Sequence, residues 1–144
     1  MTPDSAARSS LVNITGAGFG DAKGASSVVI GGVAAWTSNW TDTKVAAYVP
    51  ETTPVGVASV QLVVGGVASA PKTINVEARP AAQAGVAWRF RTEANYISHR
   101  AAVGADGTVY VNDSSGFLYA LTTDGALKWV YDASADGGGS QARP

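Results

Sequence analysis

Three observations predict an all-β fold for this 144-residue chain. Apolar residues alternate with small or polar ones in short runs, the period-2 pattern of strands with two distinct faces. The runs are divided at short intervals by Gly, Pro, Asp and Ser turn chemistry, which suits a sandwich or a meander. A motif also repeats, because Ala87-Trp88-Arg89-Phe90 matches Lys128-Trp129-Val130-Tyr131 at an offset of 41 residues. That spacing is close to the roughly 40 to 45 residues of a known propeller repeat. No segment carries a 3.6-residue apolar period over a helical length.

Along the first half, Leu11 to Gly20 reads as a strand with Val12 and Ile14 on one face. It ends in the Gly-rich corner Gly16-Ala17-Gly18-Phe19-Gly20, which Phe19 anchors. The corner superficially resembles a phosphate loop but lacks the following helix and lysine. Four more strands are expected over Ser27 to Ile30, Lys44 to Val49, Ser59 to Val64 and Thr73 to Val76. Gly31-Gly32, Pro50 to Gly56, Gly65-Gly66 and Pro71 separate them. Short strands with evenly spaced turns predict a β-sandwich.

In the second half, Asp106 to Val111, Gly116 to Leu121 and Asp124 to Tyr131 read as three strand runs in series. Asp106-Gly107, Asp113-Ser114-Ser115-Gly116 and Asp124-Gly125 supply the turns, with Gly giving positive φ and Asp or Ser bonding the local backbone. Tyr96 to Gly104 would add the innermost strand of a four-stranded meander. Val86 to Phe90 would be the outermost strand of a preceding blade, or a strand that closes a ring.

The organisation expected is a sandwich over 1–78, a Pro/Ala linker over 79–85, a blade-like meander over 86–133 and a flexible tail over 134–144. Each half has about 65 to 75 residues, near the lower limit for an independent core, so contact between the halves is expected.

Ile14 to Gly20, Val29 to Gly32, Trp40 to Val45, Val49-Pro50 and Gly56 to Val60 together resemble the IPT/TIG immunoglobulin-like domain over about residues 2–78. Members usually begin with a strand leading into a Ser-Pro-x-Ser-Gly-like turn. Here Thr2-Pro3-Asp4-Ser5 already resembles that turn, so the first strand is expected to be missing or greatly shortened and a sheet edge open to strand addition. Trp88 to Phe90, Ala101 to Gly104, Asp106 to Val111, Gly116 to Leu121, Asp124-Gly125 and Lys128-Trp129 resemble a single pyrroloquinoline-quinone-type propeller repeat over about 85–133. That resemblance implies kinship with quinone-dependent dehydrogenases and with non-catalytic envelope scaffolds. A quinone site in that family draws residues from many blades, and one blade cannot supply it.

Ten basic and eleven acidic residues give a net charge of −1 with no basic run, so nucleic acid is not an expected partner. The absence of cysteine excludes disulfides and thiolate metal sites. No apolar run reaches about 18 residues and the start is not signal-like, so membrane insertion is not expected. His99 is the single histidine and has no carboxylate cluster to complete a metal site. Asp106, Asp113 and Asp124 could pair across turns to hold calcium, but Asp-Gly turn chemistry explains them more simply.

No catalytic residue, cofactor site or metal site is therefore assigned. Trp36 and Tyr48 are the expected ligand-surface aromatics, able to stack on a sugar ring or anchor a protein. Phe19, Trp40, Trp88, Tyr119 and Trp129 are expected to be structural, Trp40 in the core and Trp88 and Trp129 between blades. The functional expectation is a non-catalytic extracellular or bacterial envelope module that binds a protein or carbohydrate, the location resting on family likeness. One alternative is an accessory fragment of a quinone-dependent dehydrogenase or carbohydrate-active enzyme. Another is a self-assembling module in which open strand edges or blade faces pair into a homo-oligomer, or in which the blade packs on the sandwich instead.

Overall fold

The computed structural model describes residues 1–82, 85–94, 96–97 and 100–134. Thirteen strands and no helix occur among them. They are β1 (Ser5–Ala7), β2 (Leu11–Thr15), β3 (Ser27–Ile30), β4 (Val33–Ala35), β5 (Thr37–Trp40), β6 (Lys44–Tyr48), β7 (Gly56–Val64), β8 (Val67–Ala68), β9 (Lys72–Glu77), β10 (Ala102–Val103), β11 (Val109–Asn112), β12 (Phe117–Leu121) and β13 (Leu127–Asp132). Three sheets result: β1-β9-β7-β3-β4 with β8 beside β7, then β2-β6-β5, then β10-β11-β12-β13.

The first two sheets face each other as a sandwich. Alternation decides which residues enter it: Val12 and Ile14 from β2, Val28 and Ile30 from β3, Val60 and Leu62 from β7, Ile74 and Val76 from β9. Each fully buried aliphatic side chain of this size contributes about 1.5 to 3 kcal/mol. The domain opens on a short strand of three residues, which begins at Ser5 of the Thr2-Pro3-Asp4-Ser5 turn. β1 lies parallel to β9 with Ser5 opposite Asn75 and Ala7 opposite Glu77, while Thr2 bridges Asn13 on the other sheet. The opening residues are thus divided between both sheets, and β9 is not an open edge.

The Gly-rich corner after β2 packs as a structural turn. Asp42 accepts hydrogen bonds from the Gly18 and Gly20 amides, and the Trp40 indole donates to the Phe19 carbonyl at 3.0 Å. A Cβ on Gly16 would meet the Phe19 ring at 2.5 Å. Phe19 and Trp40 are both partly buried against the sandwich core, so Trp40 caps that core more than it fills it.

β6 joins the two halves of the molecule. Val45, Ala46, Ala47 and Tyr48 are all buried, which one sandwich face cannot explain. Val45 and Ala47 enter the sandwich core, while Tyr48 enters a second core with Tyr119 and Val130. The β2-β6-β5 sheet is therefore the middle of three layers, and the meander covers its outer face.

Among the described residues of the Tyr96 to Gly104 run, Ala102–Val103 forms a strand at the inner edge of the meander and Ile97 bridges Asp113. His99 lies outside the described residues. Val86 to Phe90 differs from expectation, since no named strand includes it.

Candidate functional site

Directly opposed residues of a sheet share a face, so the meander's register defines two surfaces. Val111, Tyr119 and Val130 are opposed in series, and they lie on the side toward β6. Here Tyr48 stacks on Phe90 with centroids 5.3 Å apart, and Tyr119 meets both rings edge-on at 5.8 and 5.5 Å. Pairs at such spacings contribute about 0.5 to 1.5 kcal/mol each beyond area burial. Tyr48 is 1 % exposed, which corrects its expected place on a ligand surface. The reason is that β6 is covered on both sides, so a residue pointing away from the sandwich core still meets protein.

The Asp113 turn holds this layer from below. Its carboxylate is buried and accepts from the Ser115 and Phe117 amides and from the Tyr119 hydroxyl, the last at 2.8 Å. Asp113 is thereby committed to the turn. Asp106 serves its own turn in the same way, accepting from the Thr108 amide and hydroxyl, which hold its carboxyl down at about 2. No cluster of three or more metal-ligating side chains occurs among the described residues. Burial pushes the Tyr48 hydroxyl up to about 12, against the influence of the adjacent Tyr119 and Ser38 hydroxyls. Burial likewise raises Tyr119, with Tyr48 and Asp113 adding to the effect.

The opposite face of the meander carries Tyr110, Leu118, Ala120, Trp129 and Tyr131, as the pairings Tyr110 to Ala120 to Trp129 and Leu118 to Tyr131 require. Tyr110 and Trp129 lie 6.0 Å apart, and Tyr131 is 46 % exposed. No other described element packs over this face in either apolar core. Trp129 thus packs within its own sheet, where packing between blades was expected.

Trp88 and Phe90, the earlier copy of the motif, are docked within the chain. Phe90 completes the aromatic cluster, and the Trp88 indole donates to the Thr123 carbonyl at 2.9 Å. Gly125 is required beneath it, for its φ of +82° and because a Cβ would lie 2.5 Å from the Trp88 ring.

Three residues at this junction carried no sequence signal. Ser9, held at a φ of +61°, accepts from the Leu127 amide and donates to Glu51. Arg79 joins Glu51 of the sandwich to the Asp124 carboxylate and carbonyl of the meander, so the expected linker is tied to both halves. Lys44 pairs with Glu93 on another side of the same interface. A signal for the interface itself was present: the unbroken run Val45 to Val49 reads as a strand buried on both faces.

Between the sandwich loop at residues 8–11 and the segment 86–91 lies a cleft of about 670 Å³. Arg8, Arg79, Arg89 and Arg91 line it, together with Trp88 and Phe90, and no carboxylate does. Trp36 is 45 % exposed on the sandwich, away from this lining, so the two expected surface aromatics are not brought together.

The IPT/TIG domain model matches residues 2–77, more than half of the chain. IPT/TIG domains are generally non-catalytic, immunoglobulin-like interaction modules, and they occur in extracellular and surface proteins. No curated protein matches the sequence. Among solved structures, one from Bacteroides thetaiotaomicron described as "Putative phosphatase" aligns at 16 % identity and a TM-score of 0.42. The alignment covers 91 % of this chain and 32 % of that one, so the chain spans about a third of that protein's length, and the likeness bears on neither fold nor activity. The sandwich strands, their aliphatic core and the matched residues agree: the chain belongs to the IPT/TIG family of immunoglobulin-like domains.

Proposed function

We propose that this chain is a non-catalytic binding and scaffolding module of an extracellular or bacterial envelope protein. In this reading the meander is a propeller-type repeat of the pyrroloquinoline-quinone kind, and its open face receives a further sheet of that kind. The observation that carries it is the face of Tyr110, Leu118, Trp129 and Tyr131, which neither apolar core of the described residues covers and on which Tyr131 is exposed while the other three are half-buried. The chain contains its own template for the contact. Trp88 and Phe90 are docked against the meander's other face, and Trp129 and Tyr131 repeat them 41 residues later on a face that neither apolar core of the described residues covers. An apolar sheet face of this kind favours a partner surface over water.

In the isolated chain the same face of a second copy substitutes for that further sheet. Light scattering over a concentration series is expected to record association that a Trp129→Arg, Tyr131→Arg double variant abolishes while keeping the strand signal in circular dichroism. Wild-type chain that stays monomeric to millimolar concentration, with no binding of an apolar dye that the variant loses, would refute the reading. The exposed Trp36 is a separate contact point for a carbohydrate or protein. Its contribution is measured by comparing Trp36→Ala with wild type on a glycan panel, where unchanged binding removes it from the site.

A further inference from the structure

Four of the chain's six arginines line one cleft that no carboxylate lines, although the whole chain carries a net charge of −1. Their states differ. Arg79 is neutralised by Glu51 and Asp124, which stand behind the lining. Arg8 donates through Nε to the Thr53 carbonyl at 2.7 Å, which orients the group and leaves its terminal amino groups without a partner among the described residues. Arg89 and Arg91 are exposed and form no ion pair or side-chain hydrogen bond among the described residues. Three residues of the cleft lining therefore carry guanidinium donors that have no partner among the described residues.

The segment that carries two of them is poised for an extended ligand. From Val86 to Thr92 burial alternates with period 2: Val86, Trp88, Phe90 and Thr92 turn inward, whereas Ala87, Arg89 and Arg91 turn outward. That is strand patterning. Yet residues 87–92 make no backbone hydrogen bond to another described residue and belong to no ladder. Amides and carbonyls without a partner among the described residues are a template for strand addition, and side chains at alternate positions set its specificity. Arg89 and Arg91, two residues apart on one side, match carboxylates two residues apart on an added strand, and arginine binds carboxylate in bidentate fashion. A cavity of about 670 Å³ lies within the roughly 300 to 1,000 Å³ of ligand pockets.

We infer that this cleft binds an extended acidic peptide segment of a partner protein. The segment adds as a strand along residues 87–91 and places alternate carboxylates on Arg89, Arg91 and Arg8. This site lies on the covered side of the meander and does not depend on the open-face contact proposed above.

The test is calorimetric titration of the full chain with a blocked heptapeptide alternating Glu and Val, run beside its Lys-for-Glu counterpart and a sulfated oligosaccharide of equal charge. Binding of the Glu peptide is expected, at least tenfold weaker in an Arg89→Glu, Arg91→Glu double variant and weaker at high salt, because exposed charges are screened. Both positions are exposed, so the variant is expected to fold, and circular dichroism checks it. Arg100→Glu, outside the cleft lining, is expected to change binding less than twofold. New amide protection at residues 87–91 in the complex distinguishes strand addition from loose ion pairing. Tighter binding of the oligosaccharide, equal binding of the Lys peptide, insensitivity to the double variant, or absence of amide protection would each overturn the inference.

Discussion

The sandwich and the meander use strands of similar length, yet they bury their apolar residues differently. The sandwich core is aliphatic and is drawn from both of its own sheets. The meander's buried cluster is built on rings and is shared: Tyr119 and Val130 meet Tyr48, Phe90 and Leu11. One core is complete within its unit, and the other exists only where two units touch. Stability in the first region is autonomous, and in the second it depends on the neighbour. The same asymmetry puts the two proposed contact surfaces on the meander and at the junction, where one sheet face and one segment lack partners among the described residues.

Tyr119→Ala should have the largest local effect, about 4 kcal/mol of meander stability, since it removes a fully buried ring that touches two others. Hydrogen exchange should then accelerate in β11 to β13 while β3, β7 and β9 keep their protection. Uniform acceleration would mean that the two regions unfold as one. The complementary change, Ile74→Ala, should cost about 3 kcal/mol and lower the denaturant midpoint of both regions together, because the meander cannot keep its cover without β6. A meander transition left at its original midpoint would contradict that dependence.

Asp113→Ala should cost about 2 to 3 kcal/mol, leaving two amides and the Tyr119 hydroxyl without their acceptor. Asp113→Asn should recover part of this, and chemical denaturation of the three proteins gives the ranking. Alkaline conditions act next. Tyr48 holds its proton to about 12 in the folded protein, above the usual tyrosine value near 10. Its contribution is therefore complete below about pH 10 and is lost as pH rises toward 12, on the order of 2 kcal/mol. A Tyr48→Phe variant should show a flatter decline, and identical slopes would remove Tyr48 as the cause.

The smallest effect belongs to the exposed ion pair. The Thr122 hydroxyl, and after it Arg79, hold the Asp124 carboxyl below its usual range. A depressed carboxyl stabilises the fold above the unfolded-state pKa, so this contribution fades as pH falls below about 4. Arg79→Ala should leave neutral stability nearly unchanged and reduce that acid dependence, as thermal melts across pH 2 to 5 would record.

Much of the sandwich was legible because its strands follow one rule. Ser27–Ile30 matches expectation to the residue, and β2, β6, β7 and β9 fall where alternation and Gly turns place them. β4, β5 and β8 were not legible, since Val33–Ala35, Thr37–Trp40 and Val67–Ala68 are too short for a period to show. Tyr48 misled for a physical reason: alternation assigns a residue to the face away from the core but cannot report that another layer covers that face. The four arginines of the cleft were individually unremarkable, being separated by up to 83 positions in the sequence.

By itself the sequence determined the all-β class, the turn positions, the sandwich core and the repeated Trp-x-aromatic motif, because each follows from local periodicity and glycine or aspartate chemistry. Tertiary structure alone decided that β1 closes the β9 edge, that one copy of the motif is docked while the other lies outside both apolar cores of the described residues, and that four distant arginines line one cleft. Those outcomes depend on which surfaces come together in space, and no local pattern encodes the identity of a neighbour from the far end of the chain.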